Sequence, residues 1–177
     1  RNAAPALPYA GLTHVEPRQR RIPLFGVLDE VESTKTRFEP GDVLFGKLRP
    51  YLHKVAQADR EGGASTDIMV LRPKNGLDRD FLYWRLTSTA VVNWATRHSS
   101  GTKMPRTSWR RLAEFVVPFP PLPEQRRIAA ILSSVDDAIA ATRKVIEQTK
   151  RVKKGLLQTL MTRGIGHTRF KKTEIGE

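Results

Sequence analysis

The sequence predicts an α+β fold in which a compact domain of strands and helices is followed by one very long helix. Up to about Pro123, glycine and proline close apolar runs of strand length. From Glu124 onward the apolar residues instead recur in heptads, which is typical of a helix that packs on another helix. With 177 residues, the chain is long enough for one ordinary domain and such an extension.

The elements of the first region are predicted from apolar runs and the turn residues between them. Three runs separated by Pro-Gly, Gly-Gly and similar breakers predict strands at Asp42–Phe45, Leu52–Ala56 and Asp67–Leu71. Helical spacing of the apolar residues in Asp78–Arg97 predicts one or two helices after them. Beyond SSGTKMPRTSWRR, which is predicted to be a loop, Glu114–Pro118 predicts a last strand.

The long helix has recognisable start and stop signals. Pro123 suits a first helical position, and Glu124 complements the positive end of the helix dipole. Gly164 and Gly166 follow the last apolar turn and predict the end of the helix. A helix between these signals has roughly 40 residues and a length of about 60 Å. The predicted divisions are a domain over residues 1–122, a helix over 123–164 and a connecting segment over 165–177.

An apolar stripe along this helix predicts a helix–helix interface. The alternative is that the helix packs back on its own domain, but the stripe continues beyond any core that a domain of this size offers. We therefore predict a partner helix, and the prolines from Pro118 to Pro123 restrict the backbone where the helix leaves the domain. The predicted interface residues are Ile128, Ile131, Leu132, Val135, Ile139, Thr142, Val145, Ile146, Val152 and Leu156.

The composition favours a polyanionic partner. Lys and Arg number 31 against 18 Asp and Glu, a formal net charge of +13, and such a surplus promotes binding to phosphates through counterion release. Membrane surfaces and acidic proteins remain alternatives. The absence of cysteine excludes disulfides, thiolate nucleophiles and zinc–thiolate sites. The sequence has neither an apolar run long enough to span a membrane nor a signal pattern, so we predict a cytoplasmic location.

Two basic segments are candidates for binding nucleic acid. The loop from Arg97 to Thr107 combines cations, hydroxyls and a glycine without any acid, which suits contact with phosphates and base edges. A second patch from Lys47 to Lys54 interleaves cations with an aromatic residue, and there phosphate contact is predicted rather than base reading. A solvated loop, or a motif kept for folding, is the alternative for the first segment. The predicted contacts are Lys47, Arg49, Tyr51, Lys54, Arg97, Ser99, Ser100, Thr102, Lys103 and Arg106.

No catalytic or metal-binding residues are predicted. Residues 41–47 match the glycine-rich phosphate-loop pattern, but Leu48 stands where Ser or Thr should bind magnesium, and the interior is apolar. The neighbouring carboxylates Asp136 and Asp137 diverge on a helix and make a poor acid–base pair. No metal-ligand spacing links the four histidines, which are His14, His53, His98 and His167.

Several separated segments carry a resemblance to a known family. PPLPEQRRIA and LLQTLMTRG, at the two ends of the predicted helix, resemble the central conserved region of specificity (S, HsdS) subunits of type I restriction-modification systems. FEPGDVLFGKLRPYLHKV, ASTDIMVLRP and SSGTKMPRTSW resemble the target recognition domains of the same subunits. The resemblance covers most of the chain, and its segments occur in the family's order.

The resemblance implies a DNA-reading role without catalysis. Family members pair two target recognition domains with two long helices that form an antiparallel coiled coil; each domain reads half of a split DNA sequence, and the helices set the gap. This chain has one domain and one helix, which suggests a half subunit or a fragment, and two copies related by a twofold axis could rebuild the arrangement. FKKTEIGE resembles the linker to a next recognition domain, and the N-terminus resembles a start inside the first one.

The resemblance also implies partners and cofactors. Expected partners are double-stranded DNA, a DNA methyltransferase (M) subunit, a restriction/translocase (R) subunit and a second half subunit, as a homodimer or otherwise. No cofactor is expected in this chain, because S-adenosylmethionine, ATP and Mg would belong to partner subunits. Two alternatives stay open at this point: a coiled-coil adaptor that no longer reads DNA and, more remotely, a nucleotide-dependent enzyme.

Overall fold

The structure is a computed structural model that describes residues 7–28 and 34–169. Most of the predicted connecting segment, FKKTEIGE at residues 170–177, therefore lies outside the described residues. By the clustering of its internal contacts the chain divides into one compact unit up to Leu132 and a second from Ser133. None of the described helices is both long and apolar enough to cross a membrane.

The described residues of the first unit contain seven short strands in two sheets. The strands are β1 Pro8–Ala10, β2 Gly26–Val27, β3 Thr36–Phe38, β4 Val43–Gly46, β5 Val55–Gln57, β6 Gly62–Ala64 and β7 Ile68–Leu71. One sheet has the order β2-β1-β6-β3, in which only β1 and β6 run parallel, and the other has the order β5-β4-β7 and is antiparallel. The α+β class predicted from the sequence is confirmed.

Strand β4 is buried on both of its faces. Leu44 packs in one apolar cluster with Phe38 and Ile68, whereas its neighbours Val43 and Phe45 pack in a second cluster. Successive side chains of a strand point to opposite faces, so β4 contributes to both cores at once. This explains its continuous apolar run and confirms that the stretch is a strand instead of a phosphate-binding loop.

In the part of the chain that the structure describes, four α-helices follow the strands. They are α1 Arg79–Leu86, α2 Thr89–Arg97, α3 Trp109–Ala113 and α4 Leu122–Arg163. The carboxylate of Asp78 caps α1 by accepting hydrogen bonds from the N–H groups of Asp80 and Phe81, both at 3.0 Å. The predicted helical region up to Arg97 is thus confirmed as two helices, and α4 has nearly the predicted bounds. Gly164 follows α4 with a φ of 62°, the left-handed conformation that ends helices.

Two of the predicted strands are wrong in whole or in part. The predicted strand Leu52–Ala56 begins too early. Leu52 is the last residue of a 3₁₀ turn over Pro50–Leu52, and β5 begins only at Val55. Pro50 fixes its own φ and has no N–H for a sheet, which favours the turn. The segment Glu114–Pro118 forms no strand: it follows the unpredicted helix α3 without regular secondary structure. Pro118 and Pro120 cannot donate the ladder hydrogen bonds of a sheet.

The Gly-Gly pair treated above as a breaker lies in strand β6. A Cβ at Gly62 would collide with the carbonyl oxygen of Pro8, and one at Gly63 would collide with the side chain of Leu28. Glycine is required there because the neighbouring chain approaches the backbone of β6 closely. Strands β1, β2, β3 and β6 were all missed by the sequence prediction.

Candidate nucleic-acid interface

The two basic segments predicted to bind nucleic acid lie side by side in the structure. The N–H of Thr107 donates to the carbonyl of Lys47 at 3.0 Å, and the N–H of Arg49 donates to the carbonyl of Pro105 at 2.7 Å. The two stretches run antiparallel at this point. Ten predicted contacts from two separate parts of the sequence are thereby concentrated around one pair of hydrogen-bonded segments.

The second of these segments is a loop with a tight base and an exposed tip. Ser100 and Arg106 exchange backbone hydrogen bonds of 2.9 and 2.8 Å, which close the base. Gly101 has a φ of 101°, a conformation that side-chain-bearing residues rarely adopt. The tip that follows exposes Thr102 and Lys103. Backbone closure therefore holds the tip in a defined position while its side chains stay accessible.

Five of the predicted residues are exposed and make no side-chain hydrogen bond or ion pair within the described chain, and two of these five are Ser100 and Thr102. The other three are Lys103 at the tip, Arg97 at the end of α2 and Tyr51 in the 3₁₀ turn. Free cations and hydroxyls of this kind can bind phosphate oxygens, and Lys or Arg can also reach the O6/N7 edge of guanine. These side chains are therefore accessible to an anionic ligand.

Arg106 is held in place by an acidic neighbour that the sequence analysis did not identify. Its Nε donates to Oδ1 of Asp67 at 2.9 Å, and both side chains are partly exposed. This hydrogen bond and the carboxylate charge raise the pKa of Arg106 above its already high value. Asp67 also accepts, through its carbonyl, the N–H of Lys47 at 2.7 Å. Arg106 is therefore oriented by the protein before any ligand arrives.

Other predicted contacts support the loops instead of facing outward freely. The ammonium of Lys47 donates to the carbonyl of Thr66 at 2.6 Å, and that of Lys54 donates to the carbonyl of Leu12 at 2.5 Å. The hydroxyl of Ser99 donates to the carbonyl of Thr96 at the end of α2. A carbonyl does not neutralise an ammonium, so both lysines still add positive potential to the surface.

The structure adds a further cation, Arg18, that the sequence analysis missed. The N–H of Arg18 donates to the carbonyl of His53 at 3.0 Å, next to the 3₁₀ turn. Arg18, Arg49 and His53 all have positive φ, at 57°, 49° and 52°, which is uncommon for residues other than glycine and is enriched at functional sites. Burial, with a contribution from Arg18, lowers the pKa of His53. The basic run PRQRR at residues 17–21 was the signal for Arg18.

The described residues contain no cluster of histidine, aspartate and glutamate that could hold a metal ion. His98 stacks on Trp94 with ring centroids 3.9 Å apart, and its Nδ1 lies 2.9 Å from the carbonyl oxygen of that residue. Nδ1 of His14 accepts a hydrogen bond from the N–H of Gly11. Both imidazoles are thus occupied in local structure.

The predicted interface stripe of α4 is exposed along most of its length. Ile131, Val135, Val145 and Val152 are each more than half exposed, and Leu156 is 55% exposed. In contrast, Gln125 and Ala129 in the first turns are buried. Exposed aliphatic side chains at heptad spacing are an unfavourable surface in water, and a partner helix would cover them.

Comparison with known proteins identifies relatives of this chain. The family model described as "Type I restriction modification DNA specificity domain" matches residues 28–151. The type I restriction enzyme EcoDI specificity subunit of Escherichia coli is 41% identical over 101 residues, which are 56% of this chain and 22% of that subunit. The MjaVIII specificity subunit of Methanocaldococcus jannaschii is 34% identical over 119 residues, 67% of this chain and 28% of the relative.

A solved structure shares the fold. The crystal structure of the HsdS subunit from Thermoanaerobacter tengcongensis matches with a TM-score of 0.65 and 22% identity, covering 98% of this chain and 46% of that one. The arrangement of sheets followed by a long helix is therefore that of the HsdS fold. In each of these comparisons the chain spans less than half the length of the relative.

Proposed function

This chain belongs to the family of type I restriction-modification DNA specificity domains, and we propose that it is a DNA-reading specificity subunit, as a half subunit or a fragment. Its first domain, residues 1–122, reads one half of a bipartite DNA target. The long helix, residues 123–164, sets the distance between the two half-sites by pairing with a second helix. The chain itself performs no catalysis.

One observation carries the DNA-reading part of this proposal: the hydrogen-bonded pair of segments around Lys47 and Thr107. The cations predicted to contact DNA belong to these two segments; Lys103, Arg97 and Tyr51 are exposed, and Asp67 orients Arg106. Cations without internal partners supply phosphate affinity, and a side chain held by a carboxylate, as Arg106 is, can meet a base edge with little loss of conformational freedom.

The spacer part of the proposal rests on α4. The helix has 42 residues, and its exposed stripe continues for several turns past Leu132. An antiparallel coiled coil of two such helices would bury that stripe and hold two recognition domains at a fixed separation. Two copies of this chain would then read a palindromic bipartite site, because a twofold axis relates the two domains.

The remaining partners follow from this role. We propose that double-stranded DNA and a methyltransferase subunit bind the chain, and that a restriction/translocase subunit joins the same complex. S-adenosylmethionine, ATP and Mg are assigned to those subunits, and no cofactor to this chain. Exposed cations of α4 such as Arg143 and Lys144 can follow the DNA backbone between half-sites, which adds affinity without sequence preference.

The experiment that tests the function is a selection from a randomised duplex library at moderate salt. It is run with and without a cognate methyltransferase subunit, and the bound DNA is sequenced. We expect two short motifs at one fixed spacing, in inverted orientation if a homodimer of half subunits forms. Salt-sensitive binding without any enriched motif in both arms would contradict the DNA-reading function.

A further inference from the structure

A cleft of about 880 Å³ opens beside strand β7 in the first unit. Its volume lies in the range of sites that hold a ligand or an anchoring side chain. The walls are mostly apolar, and the residues that contribute to them include Leu71, Leu82, Val91, Leu112, Phe115 and Phe119. Among the described residues that line the cleft there is no aspartate or glutamate.

One cation of the cleft has no side-chain partner among the described residues. Arg85, in the last turn of α1, lines the cleft and is only partly exposed. Its Nε is buried without a hydrogen-bond partner, and its guanidinium forms no ion pair with any described residue. A buried donor on a charged group costs free energy when no acceptor meets it, and the cost is recovered when an anion binds.

The other cations of the cleft do not need such a ligand. The guanidinium of Arg72 makes two hydrogen bonds to Asp42, at 2.9 and 2.7 Å, and Lys47 donates to the carbonyl of Thr66. Lys74 is exposed to solvent. Arg85 is therefore the cation whose unsatisfied hydrogen-bond donor points to an anionic ligand.

The backbone beside the cleft can accept another strand. The stretch from Phe115 to Phe119 borders the cleft without forming a helix or strand, and among the described strands β7 is at the end of its sheet, with β4 as its neighbour. Edges of this kind bind extended peptides through main-chain hydrogen bonds, and pockets beside them accept alternate side chains.

We propose that this cleft docks an extended segment of a partner protein that carries apolar residues and one aspartate or glutamate, whose carboxylate binds Arg85. The apolar walls contact the apolar side chains of the docked segment, and the outer edge of β7 forms hydrogen bonds with its backbone. Duplex DNA does not fit this chemistry, because its phosphates lie on a stiff, polar surface and cannot be inserted between apolar walls. Lys47 belongs both to this cleft and to the predicted DNA contacts, but the docking proposal does not require DNA reading, so its test contains no DNA.

The test is a selection from a displayed library of random 12-residue peptides against the full chain. We expect enrichment of peptides in which an acidic residue is flanked by apolar residues. An enriched peptide should bind Arg85→Met at least about tenfold more weakly than the unmodified chain, because the carboxylate loses its counter-ion. Arg79→Met is the matched control: it removes the same charge from the same helix, but Arg79 bonds to the carbonyl of Pro40 and does not line the cleft.

A second measurement leaves the protein unchanged. Replacing the acidic residue of the enriched peptide by its amide should weaken binding by a similar factor, so the proposal stays testable even if Arg85→Met folds poorly. Thermal unfolding of Arg85→Met should show a melting temperature no lower than that of the unmodified chain, since an unpaired half-buried charge is removed. Enrichment of no acidic peptide, or equal binding by Arg85→Met, would overturn the docking site.

Discussion

The side-chain oxygen of Gln125 accepts a hydrogen bond of 2.9 Å from the backbone N–H of Asp78, the residue that caps α1. The amide nitrogen of Gln125 donates to the carbonyls of Gly76 at 2.9 Å and Pro120 at 2.8 Å. The side chain is almost fully buried. One glutamine thus joins the turn before α1, the proline segment and the first turn of α4, which gives a physical reason for the glutamine in PPLPEQ.

Replacing Gln125 by Ala should lower the free energy of unfolding by about 2–4 kcal/mol, because one buried N–H and two carbonyls lose their partner. Urea unfolding followed by circular dichroism measures this change. Arg127→Ala is the control, since Arg127 is exposed and surface substitutions usually change stability by no more than about 0.5 kcal/mol. Equal stability of the two variants would contradict the joining role of Gln125.

Replacing Lys103 by Ala should weaken DNA binding, because this exposed ammonium has no partner among the described residues. If it contacts a phosphate, the slope of log affinity against log salt should fall by about one, with the selected motif unchanged. If it contacts a base, the motif should relax at one position. Binding titrations at several salt concentrations, together with the duplex selection, distinguish the two.

Arg37→Ala is the control for Lys103→Ala, because it removes the same charge from an exposed residue of β3 whose guanidinium pairs with Glu61. It should leave the selected motif as it is. An unchanged affinity, salt slope and motif in Lys103→Ala would show that the tip of the loop does not touch DNA.

Replacing Ile139 and Ile146 by Glu should separate a dimer that forms through the stripe of α4. Both side chains are nearly half exposed in the single chain, so two added carboxylates cost little in the monomer and repel each other in a closed seam. Sedimentation or light scattering measures the mass. Ala130→Glu with Ala140→Glu adds the same charge at exposed positions on the opposite face of the helix and should keep the dimer. A mass that Ile139→Glu with Ile146→Glu does not alter would refute the stripe as the interface.

The stability of the first unit should depend on pH through Asp42. Burial alone would raise the pKa of this carboxyl, but its hydrogen bonds from Arg72 and from the N–H of Glu39, together with the charge of Arg72, outweigh burial and lower the pKa. A group with a lowered pKa in the folded state contributes stability above its unfolded pKa of about 4, and that contribution is lost as the pH falls through the folded value.

Asp42→Asn should therefore be less stable than the unmodified chain at neutral pH, by about 1–3 kcal/mol, and the difference should shrink below pH about 4. Urea unfolding at a series of pH values measures both curves. For Arg72→Met the difference in unfolding free energy from the unmodified chain should also shrink below pH about 4, because this substitution removes the other partner of the Asp42–Arg72 pair. If the difference in unfolding free energy between Asp42→Asn and the unmodified chain stays constant down to acidic pH, the Asp42 carboxylate is not the source of the pH-dependent stability.

Local signals in the sequence predicted a large part of this structure. The heptad stripe, Pro123 and Gly164 determined α4 to within a residue or two, and apolar spacing determined α1 and α2. The buried runs of β4 and β7 were also recognised. Each of these signals lies within the element that it predicts, so knowledge of the neighbouring chain was not needed.

The elements that were missed depend on remote partners. Strands β1, β2 and β3 have only two or three residues, and β6 contains Gly62 and Gly63, so none shows a period. They exist because a neighbouring strand supplies hydrogen bonds. The stretch from Glu114 to Pro118 is the converse case: its apolar pattern is strand-like, but no described strand pairs with it.

The candidate site divides in the same way. Residue types alone identified both basic segments, because cations and hydroxyls without acids are visible in the sequence. Only the tertiary structure brings the two segments together. The guanidinium of Arg49 donates to the carbonyl of Lys103, 54 residues away, and the carboxylate of Asp67 pairs with Arg106. Periodicity and capping are properties of a short stretch of chain. A hydrogen bond between distant segments forms only when the whole fold brings them within about 3 Å, and no local pattern encodes that distance.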